Sequence, residues 1–205
     1  MASSEHAFGD ISATLKKVGA ALRDSDIPYL LGGSLAFWAH GGPERRKDLD
    51  FMVKPEDAER ALAALEAEGM RPERPPEGWL YKAWDGEILV DLIFHPKGME
   101  IDDDAIARGE DLEVLAMPIK VMALEDVLCT KLLALHEHNV DYTSVLQMAR
   151  SLREKVDWEH VRARTAGSPF ARAFFTMIEG IGVLGEDEPA GGGRRTEVRV
   201  VEPSR

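Results

Sequence analysis

The sequence predicts an α/β fold (α+β) in which a mixed sheet is flanked by helices and followed by a C-terminal helical layer. Short apolar segments that predict strands alternate with segments whose apolar residues recur at helical spacing. Residues 79–94 add the pattern of an antiparallel hairpin, and residues 124–181 carry only helical patterns. This order of elements is typical of a layered domain with a separate helical end.

Composition limits the class of protein. The 205 residues suffice for one domain with a sizeable core and a small helical appendage. A formal net charge of −12 argues against a protein that coats nucleic acid by bulk electrostatics. The single cysteine, Cys129, excludes an internal disulfide and is most simply a small core residue. No signal peptide or membrane-spanning apolar run is evident, so we expect a cytoplasmic protein without a membrane partner.

The first elements lead into a glycine-rich turn. Residues 8–23 predict an amphipathic helix, since their apolar positions are spaced by three and four. A short strand at 29–31 follows, and then Gly32-Gly33-Ser34 opens a helix over 35–40. Glycines let the backbone approach a ligand closely, and free N–H groups at a helix start attract anions such as phosphate. Neither a P-loop nor a dinucleotide-binding glycine pattern is present.

Two aspartates occupy alternate positions of the next predicted strand, 48–53. Side chains alternate along a strand, so Asp48 and Asp50 project from one face and the apolar residues between them from the other. Two neighbouring carboxylates repel unless a cation lies between them. Oxygen ligands at a strand edge suit Mg²⁺ or Mn²⁺.

A strand–helix unit and a hairpin complete the predicted sheet. A helix is predicted over 55–68, a proline-rich loop over 72–78, and strands over 79–84 and 88–94 joined by Asp-Gly as the turn. Asp91 interrupts the apolar second strand, where an unpaired buried carboxylate is costly. We therefore expect a cationic partner, which is either a metal ion or a neighbouring Lys82 or His95.

Helical patterns dominate the rest of the chain. A strong helix is predicted over 124–138, with Lys131 on its apolar stripe. The lysine either extends outward to solvent or contacts a phosphate in a cleft. Asp102-Asp103-Asp104 predicts a solvated helix N-terminus and not a calcium loop. A short strand is expected near 112–115, and further helices over 141–153, 158–164 and 170–181.

Gly32-Gly33-Ser34 followed by Asp48-Leu49-Asp50 resembles the signature of the DNA polymerase β-like nucleotidyltransferase superfamily, in its minimal bacterial group. The resemblance covers about residues 25–150. It implies that the glycine-serine turn holds the triphosphate of an NTP such as ATP. It also implies that Asp48 and Asp50 bind catalytic metal ions and that Asp91 completes the metal site and serves as base.

The helix at 124–138 strengthens this resemblance. Residues 125–135, EDVLCTKLLAL, fit a segment of minimal nucleotidyltransferases whose lysine, here Lys131, contacts the triphosphate. The family pattern continues with an arginine and an Asp-x-x-Asp pair, where this chain has His138, Asp141 and Ser144. Asp141 is therefore kept as a nucleotide-site candidate. Lys47, with Arg45 and Arg46, is a further candidate at the mouth of the site or an ordinary solvated loop.

The resemblance and the helical patterns together predict a catalytic core at 1–117 and a helical region at 118–184. The Gly-, Pro- and charge-rich composition from residue 185 onward predicts a disordered tail at 185–205. The expected reaction is metal-dependent transfer of an NMP to an acceptor hydroxyl, with release of pyrophosphate. A tRNA 3′ end or a protein is the first acceptor, as in the toxins of toxin–antitoxin pairs, and an antitoxin would then be a partner. The alternatives are an aminoglycoside or lincosamide nucleotidyltransferase, a catalytically inactive nucleotide-binding module, and an ordinary α/β domain with Asp48 and Asp50 on its surface.

Overall fold

The predicted α/β architecture is confirmed. The structure is a computed structural model that describes residues 2–43 and 48–184, with side chains described from residue 10 onward. Within these residues it contains a seven-stranded mixed sheet and eight α-helices. Residues 185–205, predicted as a disordered tail, lie outside the described residues.

The strands form one sheet. They are β1 (Tyr29–Leu31), β2 (Leu49–Val53), β3 (Arg71–Glu73), β4 (Leu80–Asp85), β5 (Ile88–Ile93), β6 (Glu110–Val114) and β7 (Met117–Val121). Their order across the sheet is β3-β4-β5-β2-β1-β7-β6. β2 runs parallel to β5 and β1 parallel to β7, whereas the other neighbours are antiparallel. The centre of the sheet therefore joins segments that are far apart in the chain.

The helices cover part of the sheet and build the C-terminal layer. They are α1 (Ala2–Asp24), α2 (Gly33–Ala39), α3 (Ala58–Ala67), α4 (Asp103–Arg108), α5 (Leu124–Ala134), α6 (Thr143–Leu152), α7 (Trp158–Thr165) and α8 (Pro169–Gly180). Single 3₁₀ turns lie at Pro55–Asp57 and Arg153–Lys155. None of the helices in the described ranges is long and apolar enough to span a bilayer.

The two faces of the sheet around β2, β4 and β5 differ in what covers them. Phe51, Ala83, Val90 and Leu92 are fully buried on the face where α1 and α3 pack against these strands. Because side chains alternate along a strand, Asp50, Lys82 and Asp91 project from the other face, where they are partly exposed. The apolar side of these strands forms the core, and their polar side is left open for a site.

The C-terminal layer is attached through α5. This helix contacts α2 on one side and α6, α7 and α8 on the other. Its buried Asp126 accepts hydrogen bonds from Arg108, at the end of α4, and from Arg164 on α7. The ion pairs of Asp126 thus hold α5 to the end of α4 and to α7.

Proline explains why sequence patterns did not predict two of the strands. β3 contains Pro72 and β7 contains Pro118, and proline within a run argues against a strand because it cannot donate to the ladder. Pro72 is tolerated because β3 is an edge strand. β7 nevertheless pairs with both β1 and β6, and it begins at the predicted division between core and helical region.

The helix predicted over 124–138 was too long, since α5 ends at Ala134. Leu135 turns to an extended conformation, and residues 136–141 are exposed. Helical turns in proteins are stabilised mainly by packing of an apolar face, and these residues offer none. Asp102 caps α4 by accepting a hydrogen bond from the Ala105 N–H at 2.7 Å, which confirms the predicted helix start.

Candidate active site

The site is built on two parallel strands that carry aspartates in register. Asp50 of β2 lies directly opposite Asp91 of β5. Asp48 precedes β2 by one residue and is exposed. Asp50 and Asp48 are two residues apart, so the local alternation of an extended chain places them towards the same face. The predicted grouping of Asp50 with Asp91 is thus present in the described fold.

The glycine turn lies against Asp50. The Gly32 N–H donates a hydrogen bond to the backbone oxygen of Asp50 at 2.8 Å. Gly33 has φ +60°, and a Cβ added there would lie 1.7 Å from Asp50 Oδ2. Only glycine fits at this position, because a side chain would collide with the carboxylate and strain the backbone. The turn and the first acidic strand therefore form one unit.

Helix α2 begins at the same place. Gly32 is its N-cap residue in an extended conformation, and Ser34 lies in its first turn, partly exposed. The first N–H groups of a helix have no partner within the helix. The turn thus presents backbone donors beside the Asp50 carboxylate, which is the arrangement predicted for a phosphate.

The carboxylates of the site repel one another. The pKa of Asp50 is raised to about 6, chiefly by burial and then by the neighbouring Asp91 and Asp48, although Lys131 and Lys82 act to lower it. Burial also raises the pKa of Asp91, although its hydrogen bond with Lys82 acts in the opposite direction. The positive charges of Lys131 and Lys82 offset this repulsion only in part, since the pKa of Asp50 stays raised.

Lys131 lies within electrostatic reach of the carboxylates. It is half-buried on α5, between the buried Leu128 and Leu132, and its charge lowers the pKa of Asp50. Because α5 packs against α2, the helix that begins at Gly33, the lysine belongs to the same region as the glycine turn. A contact with a bound phosphate remains a prediction.

Asp91 is paired with Lys82, one of the three partners expected for a buried carboxylate at that position. Lys82 of β4 lies directly opposite Asp91, and its Nζ is 2.9 Å from Asp91 Oδ1. Sequence patterns named Lys82 only as an alternative to His95 or a metal ion and did not decide between them. The hairpin turn provided the signal, since Gly86 and Glu87 alone connect the strands and counting back from them pairs residues 82 and 91.

Of two further candidates, one lies in a loop and the other lies outside the described residues. Asp141 is exposed in the loop before α6, where its Oδ1 accepts a hydrogen bond from the Thr143 N–H at 2.8 Å. Its place in a nucleotide site remains a prediction. Lys47, together with Arg45 and Arg46, lies outside the described residues.

The carboxylate oxygens of this site are suitable ligands for a divalent cation. In the described ranges, no group of three or more His, Cys, Asp or Glu side chains is close enough to hold a metal ion. Asp50 and Asp91 nevertheless offer carboxylate oxygens from adjacent strands, and a cation would relieve the repulsion that raises the pKa of Asp50. Oxygen donors of this kind suit Mg²⁺ or Mn²⁺.

Solved structures show the same fold. The crystal structure of ANT(2")-Ia in complex with adenylyl-2"-tobramycin is 17% identical, with a TM-score of 0.58 over 80% of this chain and 98% of that chain. The solution structure of the antibiotic-resistance factor ANT(2'')-Ia has the same identity and TM-score over 83% of this chain and 95% of that chain. A putative nucleotidyltransferase from Thermotoga maritima is 19% identical, with a TM-score of 0.49 over 69% of this chain and 89% of that chain.

Sequence comparison gives the family. No curated protein sequence matches this chain. A family model described as "uncharacterised nucleotidyltransferase" matches residues 9–181, a range that includes the glycine turn, all three aspartates and Lys131. Since that match spans most of its length, the protein belongs to this nucleotidyltransferase family.

Proposed function

We propose that this protein transfers a nucleoside monophosphate from an NTP to an acceptor hydroxyl and releases pyrophosphate, with Mg²⁺ or Mn²⁺ as cofactor. The observation that carries the proposal is the position of Asp50, which faces Asp91 across two strands and has Gly33 packed against its carboxylate. Phosphates bound by the turn would thereby lie next to the acidic residues.

Each residue has a defined task in this proposal. Asp48, Asp50 and Asp91 would hold the metal, which when bound supplies positive charge against the phosphates. The N–H groups of Gly33 and Ser34 donate to phosphate oxygens, while the Gly32 N–H holds the turn to the backbone oxygen of Asp50. Lys131 neutralises charge that develops on the leaving pyrophosphate. Catalysis of this kind depends on positioning and electrostatics and needs little covalent chemistry from the protein.

Asp91 is the candidate base. It lies on the open face of the sheet, partly exposed, and a carboxylate oxygen there can accept the proton of an attacking hydroxyl. Burial raises its pKa, which makes it a better proton acceptor than an ordinary aspartate. The Lys82 ammonium must then leave at least one Asp91 oxygen available to the acceptor.

We propose a small hydroxyl-bearing molecule as the first acceptor class to test and ATP as the first nucleotide. The related fold of ANT(2")-Ia was solved with adenylyl-2"-tobramycin, which supports both choices. A net charge of −12 suits a cationic small molecule better than a long nucleic acid. A tRNA 3′ end, a protein acceptor and an antitoxin gain no support from the fold comparison and remain alternatives.

The test uses all four α-labelled NTPs with Mg²⁺ and separate pools of aminoglycosides, lincosamides, total tRNA and protein extract. Wild type is compared with Asp50→Asn and with Asp111→Asn, a matched change at an exposed aspartate on β6. Label transferred by wild type and Asp111→Asn, but not by Asp50→Asn, would support the proposal and identify the acceptor pool. Undiminished transfer by Asp50→Asn would overturn it.

One observation favours a second candidate, a nucleotide-binding module without catalysis. The Lys82 ammonium already neutralises Asp91, as it would in a protein that no longer binds a metal there. This candidate predicts NTP binding by calorimetry without pyrophosphate release in any acceptor pool. Pyrophosphate release that depends on Asp50 would exclude it.

A further inference from the structure

Lys82 belongs to a row of charged residues that crosses four strands. Asp50 of β2 pairs in register with Asp91 of β5, Asp91 with Lys82 of β4, and Lys82 with Glu73 of β3. Neighbouring strands are about 4.8 Å apart and residues in register project from the same face. Lys82 therefore stands between two carboxylates, one in the candidate metal site and one outside it.

The ammonium of Lys82 occupies the inner position. Its Nζ lies 2.9 Å from Asp91 Oδ1, with side chains only 25% and 16% exposed. Glu73, on the outer side, is exposed, and its Oε2 accepts a hydrogen bond from Trp84 Nε1 at 3.0 Å. This bond leaves the other carboxylate oxygen of Glu73 as a possible partner for a lysine with a flexible four-carbon stem.

We propose that Lys82 is a tethered counter-ion that holds Asp91 in the metal-free protein and moves towards Glu73 when a divalent cation binds. This inference rests on the proposed function, because it assumes that Asp91 takes part in metal binding. An ammonium hydrogen-bonded to a carboxylate competes with a metal for the same oxygens, and two cations at that distance repel. Glu73 offers the displaced ammonium a carboxylate on the adjacent strand.

The consequence is that Lys82 weakens metal binding in the absence of nucleotide. A residue that only supports the fold would act in the opposite direction, because its loss loosens the site and lowers metal affinity. Removal of Lys82 should instead raise the affinity. A gain of affinity is thus a readout that a purely structural role would not produce.

The experiment measures Mn²⁺ binding to the full chain without nucleotide, by the electron paramagnetic resonance signal of free Mn²⁺. Lys82→Met should bind Mn²⁺ about tenfold more tightly or better, since a unit charge close to a divalent ion is removed. Lys82→Arg keeps the charge and should bind like wild type. Lys17→Met is the matched control, because it breaks a similar 2.8 Å ion pair with Asp85 at the end of the same strand, β4.

Glu73→Gln tests the outer position. In the wild-type background it should weaken Mn²⁺ binding, because the displaced ammonium loses its second carboxylate. In the Lys82→Met background the same change should have little effect, since no ammonium needs a new partner. Equal effects of Glu73→Gln in both backgrounds would show that Lys82 does not move to Glu73.

Asp50→Asn separates failure of this inference from failure of the proposed function. If Asp50→Asn loses Mn²⁺ binding while Lys82→Met binds no more tightly than wild type, the counter-ion role is overturned and the metal site stands. If Asp50→Asn binds Mn²⁺ as wild type does, both the metal site and the inference fail. Circular dichroism on each variant confirms that the comparison is between folded proteins.

Discussion

The Asp50 carboxylate lies so close to Gly33 that a Cβ on Gly33 would be 1.7 Å from Asp50 Oδ2 and 2.5 Å from its Cγ. The contact joins the start of α2 to the strand that carries the central aspartate. The contact thereby fixes the position of the backbone N–H donors of the turn relative to the oxygen acceptors of the Asp50 carboxylate. The same contact makes the site sensitive to a single methyl group.

Gly33→Ala should abolish most nucleotidyl transfer. The added methyl group must displace Asp50, and a misplacement of about 1 Å can cost on the order of a hundredfold in rate. Gly69→Ala is the matched control, because Gly69 also has positive φ, +83°, but nothing lies within 4 Å of an added Cβ. Both variants should lose roughly 1 kcal/mol of stability from backbone strain. Pyrophosphate release and thermal unfolding distinguish the two effects, and a Gly33→Ala enzyme as active as Gly69→Ala would contradict the prediction.

Asp50 should make the metal-free protein less stable as pH rises. Burial raises its pKa from 3.8 to about 6, so between these values the folded state binds more protons than the unfolded state. The free energy of unfolding therefore falls as pH rises through this window and levels off above about 6. Asp50→Asn removes this loss and should exceed wild type by about 2 kcal/mol near neutral pH, after allowance for partial exposure. Urea denaturation at several pH values, with a chelator present, measures the difference.

Asp85→Asn provides a control of opposite sign. The hydrogen bond from Lys17 lowers the pKa of Asp85, so its ionised form stabilises the folded state above the ordinary aspartate range. That contribution is lost as pH falls through the lowered pKa. Asp85→Asn should therefore be less stable than wild type at neutral pH and approach it in acid. The difference in stability from wild type should change with pH in opposite directions for the Asp50 and Asp85 variants. The same direction for both would show that the assigned pKa shifts are wrong.

Lys131→Met should impair transfer without unfolding the protein. The variant loses the positive charge that acts on Asp50 and that we assign to the leaving pyrophosphate, a type of interaction worth about a hundredfold or more in kcat. The control is Lys54→Met. Lys54 directly follows the end of β2, and its replacement breaks a 2.8 Å ion pair with Asp103, so this variant should keep full activity. Steady-state kinetics with varied NTP would test this, and normal turnover by Lys131→Met would remove the lysine from the mechanism.

Asp126→Asn should destabilise the attachment of α5. The Asp126 side chain is 2% exposed and hydrogen-bonded to Arg108 and Arg164, and loss of one partner from a buried ion pair costs about 3 kcal/mol. Asp111→Asn, at an exposed aspartate 3.7 Å from Lys120, should cost less than about 0.5 kcal/mol. Equilibrium unfolding in urea measures the stability of both variants. Similar unfolding midpoints for Asp126→Asn and Asp111→Asn would refute the structural role of Asp126.

Local patterns were enough to predict the parts of the site that depend on local geometry. The strand Tyr29–Leu31 was predicted with the bounds that the structure has, and Gly33 adopts the positive φ that its place in the turn allows. Burial of Phe51 and partial exposure of Asp50 follow from the two-residue period of a strand. These properties involve neighbours in sequence, so residue type and spacing determine them.

The register of the β4–β5 hairpin was predicted from the sequence to within one residue. The predicted strands left Asp85 in the turn, whereas Asp85 pairs with Ile88 at the end of β4. A shift of one residue in a turn changes every cross-strand pair, and it is this register that places Lys82 opposite Asp91. β7 was not predicted, because Pro118 argued against a strand there. The local sequence could not show that β1 and β6 would both pair with it.

The sequence by itself determined the turn, the alternation of aspartates and apolar residues, and the family to which the chain belongs. Only the tertiary structure decided that β2 pairs with β5 and that Asp50 thus faces Asp91. It also brought Lys131 within electrostatic reach of Asp50 through the packing of α5 on α2. These contacts join segments distant in the chain, and their formation depends on burial of a common core, which no local pattern specifies.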